Sequence, residues 1–337
     1  MKHKKPEFYK ALHVEGFFEQ ANKKLRFHSS TNYWHFYTGD WVYKIKKPFE
    51  RASAVDMEAV YVAEIQSRLQ QSAPGLESCP MMLTGEGETW QLGSDLARGG
   101  LKSYHVLKQR QLNAQGFLDG MLDKGKIKQD HAQALGAWLA QYHAKAAPAQ
   151  GKEKDLATDQ VLVGLLEGDI FQAKKLLGKP LTQAQINLTL HPFKAKAAEA
   201  KKVLGKRFRQ GRVIKHHGGL TPSKIHFQGK EIQALALSGD PLQNPYLDMA
   251  SDVADVPMAL RLQATGELAD LVVAQYLEAT ENENLLEVLP LFEILKALKH
   301  GFRHQMLGND PDDEAAEQHL EKAKAHFALM VELARKL

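Results

Sequence analysis

The chain has 337 residues, 44% of them hydrophobic and 25% charged, and a formal net charge of +4. That size suggests two compact units with ordinary buried cores, and the small basic excess does not by itself argue for a polyanion partner. A single cysteine, Cys79, excludes an internal disulfide framework, and no run approaches the ~20 apolar residues that span a bilayer. The basic start Met1–Pro6 is followed by no apolar segment, so the expectation is a cytoplasmic protein with no membrane partner.

In chain order, residues 8–25 read as a helix of mixed polarity. Tyr33–Tyr37 and Asp40–Lys47 are β-rich runs joined at Thr38-Gly39-Asp40, a hairpin signal. Trp41, Tyr43 and Ile45 alternate with Val42, Lys44 and Lys46, which is the period of a strand. Residues 52–71 carry Val55, Ala59, Val62, Ile65 and Leu69 at helical spacing until Pro74-Gly75. Met81–Thr84 and Thr89–Leu92 flank a Gly-Glu-Gly-Glu turn, and Ser103–Gln109 is another short strand. Beyond residue 113, helices are predicted over 127–146, 159–175, 182–204, 252–276, 285–307 and 313–337, with a short strand near Ile232–Leu237. The pattern is α+β: a strand-rich lobe with one long helix over 1–112 and a helical lobe over 113–337.

Two stretches carry chemistry. The first is Thr38-Gly39-Asp40-Trp41-Val42-Tyr43-Lys44-Ile45-Lys46-Lys47-Pro48. A kinase needs a strand lysine for the α- and β-phosphates and an aliphatic residue two places earlier, on the same face, over the adenine. Val42 and Lys44 satisfy that spacing, whereas choosing Lys46 places Lys44 over the base. Periodicity alone favours a plainer reading, an edge-strand lysine that discourages aggregation. Glu58 and Glu64 are candidate acids for pairing with Lys44. They lie roughly 240° apart around a helix, so only one can face the sheet. Glu64 fits the apolar stripe better, although a solvent-facing glutamate explains it equally well.

The second stretch is Val213-Ile214-Lys215-His216-His217-Gly218-Gly219-Leu220-Thr221-Pro222-Ser223-Lys224-Ile225. It has the outline of the catalytic loop of aminoglycoside phosphotransferase-type kinases, which reads roughly His-Gly-Asp-Leu-His-x-x-Asn-Ile. His217, Gly218, Leu220 and Ile225 are kept, but Gly219 stands at the Asp position and Lys224 at the Asn position. Glycine cannot accept a proton, and an ammonium cannot hold Mg²⁺. Tyr104–Arg110, residues 132–144 with Trp138-Leu139-Ala140-Gln141-Tyr142-His143-Ala144, Asp248–Ala254 and Gln275-Tyr276-Leu277 follow in family order. Together with TGDWVYKIKKP they resemble an uncharacterised bacterial branch of the aminoglycoside phosphotransferase-like kinases, often fused to a P-loop ATP-binding domain. This chain contains no G-x-x-x-x-G-K-[ST] motif.

The resemblance covers nearly the whole chain and implies a bilobal kinase-like fold with a nucleotide in its cleft. It implies that Lys44, Val42, Glu64 and the strand around Val106 bind ATP, and that His217 holds the loop. At the family's second metal carboxylate, this chain offers Leu235 or Ala236, and Ser238 at the following acidic position. Asp240 comes at least four residues late, roughly 13 Å along an extended chain. Losing three successive base or metal positions argues against ordinary Mg²⁺-dependent transfer. The favoured expectation is a pseudokinase that binds a nucleotide or another anionic ligand, with Lys224 replacing a metal charge. The alternatives are an active phosphotransferase with Asp240 or Asp252 as metal ligand, and a scaffold that acts on a protein partner.

Histidines invite a metal reading at His216, His217 and His226, and as an i, i+4 pair at His300 and His304. No Cys or carboxylate at ligand spacing supports the first, and a solvated basic face explains the second. The basic run from Lys194 to Arg212 lacks interleaved aromatics, so a solvated helix face is preferred over a nucleic-acid surface.

Overall fold

The computed structural model describes residues 5–18, 25–30, 33–48, 55–94, 101–156, 158–174, 178, 180–235, 246–263, 265–310 and 315–337. The chain divides into two compact units, Met1–Ala114 with Gln233–Leu242, and Gln115–Ile232 with Gln243–Leu337. Residues 233–235 are the described part of the chain's return to the first unit. That return is pinned where the Ser72 hydroxyl donates to the Ala234 carbonyl at 2.7 Å.

The first unit opens with a short helix, α1 (Tyr9–Leu12), followed by β1 (Arg26–Ser29), β2 (Tyr33–Thr38) and β3 (Trp41–Lys46). Then come α2 (Val55–Ser72), β4 (Ser78–Glu86), β5 (Thr89–Gly93) and β6 (Lys102–Arg110). The six strands form one antiparallel sheet in the order β1-β2-β3-β6-β4-β5. Gly39 and Gly87 supply the positive φ that the two tight hairpins require.

The helix expected over 8–25 stops at Leu12, and Gly16 at φ +84° turns the chain. Phe8, Leu12 and Phe18 instead pack against Phe36, Tyr43, Ile45 and Val106 on one face of the sheet. The opposite face carries Leu107 and packs on Val62, Ile65 and Leu69 of α2. Strand alternation therefore sorts β3 cleanly, with Tyr43 and Ile45 towards the aromatic cluster and Lys44 on the other face.

In the second unit, α3 (Leu118–Asp123), α4 (Gln129–Ala144), α5 (Asp159–Ala173) and α6 (Gln183–Arg209) precede β7 (Val213–Lys215). The hairpin of β8 (Ile225–Gln228) and β9 (Glu231–Ala234) follows, residues 233 and 234 counting with the first unit, and then β10 (Tyr246–Asp248), which pairs antiparallel with β7. The chain ends in α7 (Ala250–Gln263), α8 (Gly266–Thr280), α9 (Leu285–Gly308) and α10 (Ala316–Arg335). The helix expected over 252–276 is two helices, because Thr265 caps α8 by accepting from the Leu268 amide at 3.3 Å.

The basic run on α6 is not wholly a solvated face. Lys194 pairs with Glu167 at 2.6 Å, but the Arg207 side chain is fully buried. Its guanidinium donates to both Asp248 oxygens, at 2.7 and 2.6 Å, and to Asn282 Oδ1 at 2.7 Å. A paired fork of this kind satisfies a charge that burial alone would make costly. No described helix is long and apolar enough to cross a membrane.

Candidate functional site

Residues 216–221 link β7 to a 3-10 turn, Pro222–Lys224, which runs into β8. Two carboxylates on α7 hold this loop. Asp252 Oδ2 accepts from the His217 amide at 2.7 Å, and Asp255 Oδ2 accepts from the Leu220 amide at 3.0 Å. Their i, i+3 spacing puts both on one helix face, so one element grips the loop at two points. The His217 ring is buried and meets Tyr142 edge-on at 6.1 Å.

Neither carboxylate is solvated. Asp252 lies 3.6 Å from His143 Nε2 and 3.7 Å from His216 Nδ1, and Asp255 lies 2.8 Å from Lys296 Nζ and 2.9 Å from His300 Nε2. Burial pushes both carboxyls up, but the neighbours outweigh it. His143 and His216 hold Asp252 well below the usual carboxylate range, and Lys296 with His300 brings Asp255 to about 2. An unfolded Asp ionises near ~3.9. The stabilisation from Asp255 is therefore complete above that pH and lost as pH falls through about 2. Its size is about 2–3 kcal/mol. Urea unfolding of Asp255→Asn should show a flatter fall in stability than the parent between about pH 5 and pH 2. Parallel curves would show that another group carries the acid sensitivity.

The loop is also shaped around its glycines. Gly218 has φ +87° and Gly219 φ +143°, conformations that L side chains rarely adopt. An acid at position 219 would have to adopt a backbone conformation that L residues rarely take. Gly219→Asp should cost about 1–3 kcal/mol through strain. Gly219→Ala should cost a similar amount in thermal unfolding, and a harmless alanine would refute the strain argument. Lys224, half-buried, closes the 3-10 turn by donating its amide to the Thr221 carbonyl at 2.8 Å.

In the first unit, Lys44 is opposite Leu107 and Val42 is opposite Gln109 across the β3–β6 ladder. The Lys44 ammonium donates to Gln109 Oε1 at 2.6 Å, and its burial lowers the lysine to about 8. Among the described residues the lysine's side-chain hydrogen bond therefore goes to a neutral amide, which accepts it without adding a charge. Glu64 is half-buried on α2, and the Glu58 side chain lies outside the described residues. Val106 opposes Ile45 and belongs to the aromatic cluster, so it does not share a face with Val42 and Lys44. Leu107 takes that place, because a one-residue step along a strand reverses the face.

Asp240, Ala236 and Ser238 also lie outside the described residues, and Leu235 packs against the α2 core. The Asp252 carboxylate, one of the expected alternatives for metal, faces a backbone amide and two imidazoles. His226 meets Phe117 edge-on at 4.9 Å. Among the described residues no three His, Cys, Asp or Glu side chains could hold a metal ion together. Asp255, His143, Lys296 and Gln109 were missed from sequence. The Asp252-x-x-Asp255 pair inside an otherwise apolar helix was the available signal for the loop anchor.

No protein-family model and no curated protein sequence matches the chain. Solved structures do. A choline/ethanolamine kinase family protein from Mesorhizobium loti aligns with TM-score 0.54 at 12% identity, covering 97% of each chain. Wild-type aminoglycoside 2'-phosphotransferase-IIIa, solved with GDP, gives 0.53 at 12% identity over 96% of this chain and 99% of that one. A thermostable mutant of another aminoglycoside phosphotransferase, with ADP and hygromycin B, gives 0.51 at 12% identity over 92% and 94%. The sheet, the helical unit and the anchored loop together define a kinase-like fold. More particularly, it is the fold shared by the aminoglycoside phosphotransferases and the choline/ethanolamine kinases.

Proposed function

We propose that this chain is a pseudokinase, binding a nucleotide or a similar anionic ligand without efficient phosphoryl transfer. The observation that carries this reading is the loop over 216–224. Its scaffold is held at two points, His217 and Leu220, by buried carboxylates, and by the resemblance Gly219 and Lys224 take the places of a base and a metal ligand. Lys44 supports the ligand half of the proposal. It shares its sheet face with Leu107, and among the described residues its side chain hydrogen-bonds to a neutral amide, Gln109, which adds no counter-charge. ATP, or another nucleotide such as the GDP and ADP held by structures of this fold, is the ligand to try first. The test is a thermal-shift and calorimetric titration with ATP, with and without Mg²⁺, beside an assay for released ADP. Stabilisation without turnover is expected. Turnover by the unmodified protein would instead make it a rewired phosphotransferase, and no binding under any condition would leave a scaffold that acts through a protein partner.

A further inference from the structure

The second unit contains a cavity of about 460 Å³ that none of the loop anchors fills. It opens beside the turn over 221–223, with Met258 and Leu262 of α7 supplying apolar surface. α3 packs against that turn and α7, while α10 packs on α9 and α9 on α7. The cavity therefore has two walls, from α3 and from the α9–α10 pair.

The walls differ in charge. α3 contributes Asp119 and Asp123, which are four residues apart and so on one helix face. α9 and α10 contribute Arg303 and Lys322, backed by His300, His304, His319 and His326. Among the described residues Asp123, Arg303 and Lys322 make no ion pair, and the Asp119 carboxylate accepts from the next amide, Gly120 N at 2.7 Å. Opposite charges thus line one cavity without meeting across it.

We infer that this cavity binds a small zwitterion, with an amine against Asp119 and Asp123 and a phosphate or carboxylate against Arg303 and Lys322. A ligand with one charge gains from one wall and is repelled by the other, whereas a bipolar ligand gains from both. The imidazoles suit the anionic end as hydrogen-bonding groups. Burial and the nearby cations and histidines push His304 down to about 3 and His326 to about 4, so both are neutral at pH 7. His326 Nδ1 donates to the Lys322 carbonyl at 2.7 Å, which sets its tautomer. His304 and His319 face each other through Nδ1 atoms 2.9 Å apart. The fixed positive charge of that wall is therefore Arg303 and Lys322. His300 is held by Asp255, which is itself balanced by Lys296. This inference uses only the second unit and does not rest on the nucleotide reading.

Calorimetry on the full chain at neutral pH tests it. The probes are α,ω-aminoalkylphosphonates and ω-amino carboxylic acids of two to six carbons, against the matching alkylphosphonates, alkyl carboxylates and alkylamines. At one chain length the zwitterion should bind at least about tenfold more tightly than either single-ended analogue. Asp119→Asn with Asp123→Asn should reduce its affinity to that of the single-ended anion, and Arg303→Gln with Lys322→Gln to that of the amine. These side chains are exposed or half-buried, and circular dichroism checks that the variants fold. An anion or an amine binding as tightly as the zwitterion would overturn the inference in favour of a simple ion site. No binding by any probe below millimolar concentration would overturn it altogether.

Discussion

Replacing Asp252 with alanine should destabilise the second unit by about 3–5 kcal/mol. The carboxylate is fully buried and joins three elements, accepting from the His217 amide and lying beside His143 on α4 and His216 after β7. Removing it strands the His217 amide without its acceptor and takes the neighbouring carboxylate from two buried imidazoles. An orphaned buried donor alone costs about 1–3 kcal/mol. Asp252→Asn should recover part of the loss, since an amide oxygen can still accept from His217 but carries no charge. Urea unfolding measures the total, and hydrogen exchange at the His217 amide reports the loop separately. A total loss below about 1 kcal/mol, with protection at that amide unchanged, would show that Asp255 holds the loop unaided.

The parts legible in the sequence were those written in periodicity and in local motif. Alternation along Trp41–Lys46 identified β3 and set Lys44 opposite to Tyr43, and apolar spacing located α2, α4, α5, α6 and α9 within a few residues. What escaped depends on partners distant in the chain. Arg207 reads as one more cation in a basic run, until Asp248 and Asn282, 41 and 75 residues later, enclose it. Lys44 calls for an acid on the next helix, but the residue that reaches it is Gln109, 65 positions away on β6. Strand register, not motif, decides that Leu107 rather than Val106 shares a face with the lysine. Gly219 was visible in the loop as a glycine, but its backbone conformation was not, because a positive φ leaves no mark in composition beyond the glycine itself.

Nucleotide binding should depend on Lys44, proceed without Mg²⁺, and weaken at alkaline pH. Free ATP carries more negative charge than Mg-ATP, so a binding site built on lysine charge favours the free form. ATP at a hundred times its Kd should stabilise the folded protein by about 2.7 kcal/mol, and Lys44→Ala should abolish that gain. The pH dependence follows from the buried ammonium. In the free protein Lys44 titrates at about 8, so at pH 7 it is mostly charged and ready for a phosphate. Above that value the free protein must first take up a proton. Affinity should then fall towards about tenfold per pH unit until the bound-state pKa, which the phosphate raises, is reached. Lys44→Arg supplies the control, because a guanidinium stays charged throughout this range and should bind with little change between pH 7 and pH 9. Calorimetry across that range with both variants separates the possibilities. Binding that strictly requires Mg²⁺, or that is as tight at pH 9 as at pH 7 in the unmodified protein, would remove Lys44 from the site. A Lys44→Ala protein that ATP still stabilises would do the same, and would move the search for the phosphate contact to Lys46 on β3 and Lys47 just beyond it.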